Sequence, residues 1–572
     1  MGSHDNTVWV QNYNPLGSWQ ASTAVAALPV LVLLGLLATG RVSAGRASLA
    51  GLLTAAGAAY FVYGMPASMI LSGAMVGVVF AFFRIIWLIV AAVFLYDLAV
   101  SSGQFEEMKG SIARLSADRR IQAVLVAFSF GAFIEGAAGF GAPVAISAAF
   151  LVGLGFRPFE AAVLCLIANT APVAWGAIGT PILTLSKVTS LDVDALSATS
   201  GRILPFLSVL IPFWLVRTMT GWRETLAVWP ALAVIGGTFA AVQFAWSNFV
   251  GFELVDIVSS VASMAAGVIL LRFWQPEEPW RFDHERDSMQ HAHHATEGLS
   301  RLRTVRAWMP FALLTATVLI WGIPAIKPWN TPAVKDWLDS KGSWKPEVPA
   351  LHLKIAKGPE VTGHAPYQPQ DLESAKIDVV PLSSTGTAVF VAAVLSGLFL
   401  GISPRRMVGL FAKTVWRMLP AIGAIICMLA LGFVTKYSGM DAVLGLAFTR
   451  TGPWLYPIFG TLLGWLGVAL TGSDTSSNVL FGNLQKITAN KLGLNPILMA
   501  SANTTGGVMG KMIDAQSIVV AAAATGEGGH EGEILRAVLW HSLALAILVG
   551  LIVWIYAHVL PWLVVTPPPI SG

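Results

Sequence analysis

Apolar stretches of about 20 residues recur along this chain, near 21–39, 48–63, 68–100, 203–219, 225–249, 254–274, 306–322, 384–402, 407–435, 452–471 and 534–562. A helix of ~20 residues rises ~30 Å, the thickness of a bilayer's hydrocarbon core. In lipid every backbone N–H and C=O must find its partner inside the segment, so such runs can only be helices. The chain therefore reads as an all-α polytopic membrane protein. The run 68–100 is too long for one straight crossing, which predicts a tilted or broken helix.

Charge excludes other classes. Only 12% of the 572 residues are charged and 55% are hydrophobic, about half the charged share of a soluble domain. The net charge of +4 comes without a basic stripe, so a nucleic-acid module is ruled out. A membrane oxidoreductase or protease needs paired ligands or a nucleophile with its base. His541 and His558 are the only span histidines and share one helix. No cofactor or metal site is expected. Cys165 and Cys427 sit in apolar stretches outside any CxxC pattern and read as buried spectators.

Loop charges orient the chain. Arg41, Arg46, Lys109, Arg114, Arg119, Arg120, Arg217, Arg223, Arg405, Arg406 and the arginines of 275–305 fall on one side when the spans are walked in order. The positive-inside rule makes that side cytoplasmic and places the N-terminus outside. The organisation expected is a first membrane half (1–274), a basic cytoplasmic loop (275–305) and a linking span (306–322). An extracytoplasmic polar loop (323–382) and a second membrane half (383–572) follow.

Two apolar regions, 121–187 and 472–530, are cut by Gly, Pro, Asn and Thr and do not read as ordinary spans. The halves echo each other: Ser102-Gly103 matches Ser438-Gly439, Gly131-x3-Glu135-Gly136 matches Gly467-x3-Thr471-Gly472, and Ala168-Asn169-Thr170 matches Ala502-Asn503-Thr504. The shifts are 336, 336 and 334. The charge walk makes the halves two inverted repeats with discontinuous helices and re-entrant-type breaks, the architecture of secondary transporters. The alternative is a shared habit of packing membrane helices through small residues.

Four breaks carry the chemistry, at 135–143, 169–181, 471–478 and 503–512. Gly136, Gly139, Gly141, Gly472, Gly506 and Gly507 are the expected helix-break glycines. Residues 121–134 rise ~20 Å as helix, which puts Glu135 deep in the membrane. An ionised carboxylate there is costly, so it is paired, hydrated or protonated, and it is a proton-coupling candidate. The alternative is a structural acid capping a broken helix. In the second break Asn169 and Thr170 can hydrogen-bond either the nearby backbone or a substrate. The third, Leu470-Thr-Gly-Ser-Asp-Thr-Ser-Ser-Asn478, is the most polar island in any apolar region. Ser473, Thr475 and Ser476 suit a carboxylate or hydroxyl substrate. Asp474 is a second proton candidate, or the cap of the next helix. In the fourth, Asn503 and Thr504 join the expected substrate site. Gly510-Lys511 lacks the flanking residues of a phosphate-binding loop. Lys511 is a lone cation that either holds a substrate carboxylate, pairs with Glu135 or Asp474, or is neutralised by Asp514 three residues on.

Those breaks carry a resemblance. GAFIEGAAGFGAPVAIS (131–147), ANTAPVAWGAIG (168–179), LTGSDTSSN (470–478) and ANTTGGVMGKM (502–512), with QNYNP at 11–15, resemble the bacterial L-lactate permease family over nearly the whole chain. The resemblance implies a proton symporter of L-lactate in the bacterial inner membrane, with glycolate and D-lactate as alternative substrates. Composition and spacing alone reach only a secondary transporter of an anion or small solute, with a channel as the competing class. The expected partners are a small monocarboxylate, H+ and the lipid bilayer, with a homodimer left open. One departure stands out: after Lys511-Met-Ile the family pattern is expected to continue Ser-Pro, and this chain has Asp514-Ala515.

Overall fold

A computed structural model describes residues 8–39, 41–104, 107, 115–137, 139, 141–282, 301–322, 334–362, 365–377 and 379–565. Most of the expected basic loop and residues 323–333 lie outside them. The helices follow in chain order. The first half has α1 (Trp19–Ala38), α2 (Ala44–Phe61), α3 (Ala67–Ser101) and α4, which is Arg119–Ala123 continued through a π-helical Val124–Phe130 into Gly131–Ala137. It continues with α5 (Ala142–Gly153), α6 (Pro158–Ala168), α7 (Gly176–Thr189), α8 (Val193–Met219), α9 (Trp229–Phe249) and α10 (Val255–Phe273). Then come α11 (Arg301–Gly322), α12 (Thr385–Phe399), α13 (Pro404–Ser438), α14 (Met440–Phe448) and α15 (Gly452–Thr471). The chain finishes with α16 (Asp474–Leu492), α17 (Pro496–Gly510), α18 (Ala515–Thr525) and α19 (Glu531–His558).

This is an all-α multi-pass membrane protein. Among the described residues nine helices are long and apolar enough to cross a membrane. The count is ten if the bent pair of Pro158–Ala168 and Val173–Thr189, which turns through 67°, is one span. The run 68–100 is one 35-residue helix, α3, with a π-helical turn at Ala81–Ile86. The wide turn leaves the helix continuous, so the run is longer than one straight crossing but is not broken.

A second helix, α13, is also 35 residues long. Both end at a left-handed glycine, Gly103 at φ 75° and Gly439 at φ 81°, the conformation glycine adopts at no steric cost. The two helices run antiparallel. A Cβ on Gly73 would meet Tyr437 and one on Gly77 would meet Leu429. Further along, Arg417 pairs with Asp97 at 2.9 Å and Arg406 donates to the Ser101 carbonyl at 3.3 Å.

The N-terminal segment and residues 344–380 share one face. Strand β1 (Trp9–Val10) pairs in parallel with β2 (Ile355–Ala356). Gln11 donates from Nε2 to the carbonyls of Lys436 and Tyr437, capping the end of α13. Glu373 reaches Lys357 at 3.3 Å and Lys436 at 3.8 Å. Burial works to raise the Glu373 carboxyl, but the two ammonium groups outweigh it and hold it below its ordinary value.

The glycines expected to break helices divide into two kinds. Gly139 (φ 64°), Gly141 (φ 87°) and Gly472 (φ 71°) sit at true breaks. Gly136, Gly506 and Gly507 lie inside helices instead. The reason is packing. A Cβ on Gly506 would strike the Thr461 carbonyl, and one on Gly464 would strike that of Asn503, so α15 and α17 touch backbone to backbone. Gly506→Val should therefore cost about 3 kcal/mol or more, because backbone cannot step aside. Unfolding of the purified protein in graded denaturing detergent measures this. An unchanged midpoint would contradict the contact.

Candidate functional site

Four breaks contribute to one cavity. The first lies between α4 and α5, where Gly139 and Gly141 turn the chain. The second follows α6. Ala177, Ile178 and Gly179 take φ values of 47°, 59° and 72° in succession before the helix resumes. Two non-glycine residues in that region cost about 1–2 kcal/mol each, strain that the surrounding packing must hold. The third is narrow. α15 ends at Thr471, Gly472 is left-handed, and Ser473 caps α16 by accepting from the Ser476 N–H at 3.4 Å.

The fourth break falls later than its motif suggests. α17 stays helical through Asn503 and Thr504 to Gly510, and the chain breaks only at 511–514 before α18 begins. Buried Asn503 and Thr504 hydrogen-bond sideways to neighbouring helices rather than to their own backbone ends, so the helix is not interrupted.

The cavity is lined by Glu135, Gly139, Ala177, Gly472, Ser473, Asp474, Thr475 and Lys511, among others. Its free volume is about 30 Å3, room for water rather than for a three-carbon acid. Glu135, Asp474 and Lys511 are each 3% exposed. Lys511 donates from Nζ to the Gly472 carbonyl at 2.7 Å and pairs with Asp514 at 3.0 Å. It thereby ties the fourth break to the third. Asp514 also caps α18, accepting from the Ser517 N–H at 2.9 Å and from the Ser517 hydroxyl. Of the pairings open to Lys511 from sequence, the local one with Asp514 is present, and the ammonium still faces the cavity.

A buried polar chain fixes Asp474. Tyr456 donates to Gln485 at 2.8 Å, Gln485 to Asn503 at 3.2 Å, Asn503 to Asn478 at 2.9 Å and Asn478 to Thr504 at 2.9 Å. Thr504 then donates to Asp474 Oδ2. Asp474 Oδ1 keeps no partner, as does Glu135 Oε2. Five expected substrate residues, Asn169, Thr170, Ser476, Asn503 and Thr504, thus stand apart from the cavity wall. Asn503 and Thr504 belong to the network that positions Asp474. Thr170 spends its hydroxyl on the Ile167 carbonyl at 2.8 Å. Ser476 faces a neighbouring chamber instead. Asn169 is buried beside Glu135, behind the cavity wall rather than on it. Ser473 and Thr475 line the cavity as expected.

Sequence reasoning missed Asp256. It sits in the first turn of α10, is 1% exposed, and neither oxygen has a partner. A Cβ on Gly136 would meet Asp256 Cβ at 2.7 Å, so Asp256 packs against α4 beside Glu135. In sequence an acid at the start of an apolar run reads as an ordinary complement to the helix dipole. Only the approach of α4 shows otherwise.

Comparison with known proteins bears on the whole chain. A family model described as L-lactate permease matches residues 22–560. The L-lactate permease of Bacillus subtilis (strain 168) is 43% identical over 97% of this chain and 100% of its own length. The glycolate permease GlcA of Escherichia coli (strain K12) is 42% identical over 98% of this chain and 100% of its own. The L-lactate permease of the same organism is 41% identical over 97% and 100%. The solved structure of MtrF from Neisseria gonorrhoeae matches at 13% identity over 84% of this chain and 83% of that one. Its TM-score is 0.31.

Proposed function

The chain belongs to the L-lactate permease family, and on that premise we propose that it imports L-lactate and related 2-hydroxymonocarboxylates by proton symport across a bacterial inner membrane. The family is one of membrane transporters rather than enzymes. The observation that carries the coupled mechanism is the shared cavity wall. Glu135, Asp474 and Lys511 come from helix breaks in both halves and meet in one place.

Each group has a distinct task. Lys511 is the only ammonium on the wall among the described residues, and it receives the substrate carboxylate as a charge-assisted partner. Its two present acceptors, Gly472 O and Asp514, hold its place while the site is empty. Glu135 and Asp474 each offer a carboxyl oxygen without a partner. Either can carry the proton that enters with the substrate. Ser473 and Thr475 supply hydroxyls for the substrate's own hydroxyl. The small cavity fits an occluded state, so binding requires one or more breaks to open. The face bearing the N-terminus is extracytoplasmic in this reading, and the halves are inverted repeats. The antiparallel course of the two 35-residue helices supports that relation.

A second reading concerns preference. The similarity to a glycolate permease equals that to L-lactate permeases to within one or two percent identity, so a glycolate-preferring carrier is the alternative. Uptake of L-lactate, D-lactate, glycolate and pyruvate into proteoliposomes, with and without an imposed inward proton gradient, tests both. Accumulation of L-lactate above equilibrium only with the gradient is expected. Downhill flux indifferent to the gradient would reject symport in favour of a channel.

A further inference from the structure

A second chamber adjoins the central cavity. It is lined by Phe80, Phe433, Lys436, Asp441, Thr475 and Ser476, among others, with a free volume of about 130 Å3. That exceeds the 30 Å3 of the central cavity, and Thr475 lines both. Thr475 is thus a wall residue common to the two. Of the chamber's polar groups, Lys436 is at the end of α13 that Gln11 of the N-terminal segment caps and Asp441 begins α14, whereas Thr471, Thr475 and Ser476 belong to the third break. Its walls between are apolar, with Leu429, Val479 and Leu480 beside the two phenylalanines.

The outer end offers two complementary groups. Lys436 is held only loosely, 3.8 Å from Glu373, with its ammonium 5.3 Å from the Tyr437 ring centre. Asp441 is 2% exposed and its buried Oδ2 has no hydrogen-bond partner. A buried, unsatisfied carboxyl oxygen costs stability that a ligand donor would restore. An ammonium beside a hydrogen-bond acceptor matches an acid bearing a hydroxyl next to its carboxylate. The apolar wall matches the short alkyl group.

We propose that this chamber is a loading site for 2-hydroxymonocarboxylates, in which Lys436 binds the carboxylate and Asp441 accepts a hydrogen bond from the 2-hydroxyl before the substrate passes Thr475. The proposal rests on the transport reading above and deepens it. Glu373 is the intrinsic competitor, released from Lys436 when the substrate carboxylate arrives. Selection for the hydroxyl begins here, because a site built to accept a hydroxyl proton is left with a bare buried acceptor when the analogue lacks one.

Two measurements in cells expressing the chain test this, with radiolabelled L-lactate as the probe. In the first, Lys436→Gln should raise the half-saturating external L-lactate concentration about tenfold with the maximal rate within twofold, and Lys436→Arg should restore most of it. Glu373→Gln breaks the same ion pair but keeps the cation, so it should not raise the half-saturating concentration. Asp441→Asn should narrow the preference for L-lactate over propionate about tenfold. In the second, a Val479→Cys probe, with Cys165 and Cys427 replaced by Ala, is labelled by an impermeant thiol reagent. L-lactate should slow the labelling, and Lys436→Gln should remove the protection. Unchanged half-saturation with unprotected thiol, in a chain that still takes up lactate, overturns the chamber alone. Protection of the thiol without any lactate uptake overturns the transport reading and leaves the chamber standing. Loss of both overturns both.

Discussion

Replacing Glu135 with Gln should reduce proton-driven L-lactate accumulation to a ratio near one while leaving exchange of lactate for lactate measurable. A one-proton symporter can sustain about a tenfold concentration ratio per unit of pH gradient, since one pH unit is worth about 1.36 kcal/mol. Glutamine keeps the shape and hydrogen-bonding reach of the neutral acid but cannot release a proton. The side chain lies on the cavity wall between Gly139 and Lys511 with one oxygen unpartnered, so the substitution disturbs packing little. There is no room to spare nearby: a Cβ on Gly176 would meet Glu135 Oε1 at 2.7 Å. The measurement is accumulation against a stepped pH gradient in proteoliposomes, beside counterflow without one. Wild-type accumulation in the variant would remove Glu135 from the coupling role. Asp474→Asn and Asp256→Asn in the same assay separate the three buried acids of this region that keep an unpartnered oxygen.

Lys511→Ala should weaken L-lactate binding by about 100-fold. Loss of a charge-assisted contact costs about 1.5–3 kcal/mol, and each 1.4 kcal/mol is a factor of ten. The variant also removes the partner of a fully buried carboxylate, Asp514. Breaking a buried ion pair from one side costs about 3–5 kcal/mol in a fully uncompensated case. Here the Ser517 N–H and hydroxyl continue to hold Asp514, so the loss in stability should fall below that range. A doubly substituted Lys511→Ala, Asp514→Asn chain should regain stability without regaining affinity. Binding is read by competition against radiolabelled lactate, and stability by thermal unfolding in detergent. Wild-type affinity in the single variant would refute the substrate contact.

The candidate site is partly legible in the amino-acid sequence. Glu135, Asp474 and Lys511 stand out because charges are rare in apolar runs, and an isolated one must be explained. Gly139, Gly141 and Gly472 mark turns because their neighbours forbid a continuous helix. Other residues are legible by type but not by place. Asn503 and Thr504 look like substrate groups in a linear motif, yet a helix aims each side chain at a neighbour that local sequence does not name. The neighbours are Asn478 and Asp474 on α16, some 25–30 residues away. Gly506 and Gly507 likewise look like breaks, and their reason is a close approach, of the Thr461 carbonyl on α15 and of Asp474 on α16 respectively, that no local pattern reveals. Asp256 and Asp441 look like ordinary first-turn acids. The oxygens they leave without a hydrogen-bond partner, both of Asp256 and one of Asp441, are a property of what surrounds them.

The amino-acid sequence by itself determined the class, the approximate bounds of most spans though not their number, and the regions where helices fail. It could do so because lipid leaves a backbone few alternatives, and hydrophobic run length and glycine–proline punctuation are local quantities. Tertiary structure alone decided which broken ends meet. It joined Lys511 to the Gly472 carbonyl, set Asp256 against Glu135, and left a second chamber behind Thr475. Those outcomes depend on helices far apart in the chain packing to within a few ångströms, and that distance is fixed by the sum of all contacts rather than by any one segment.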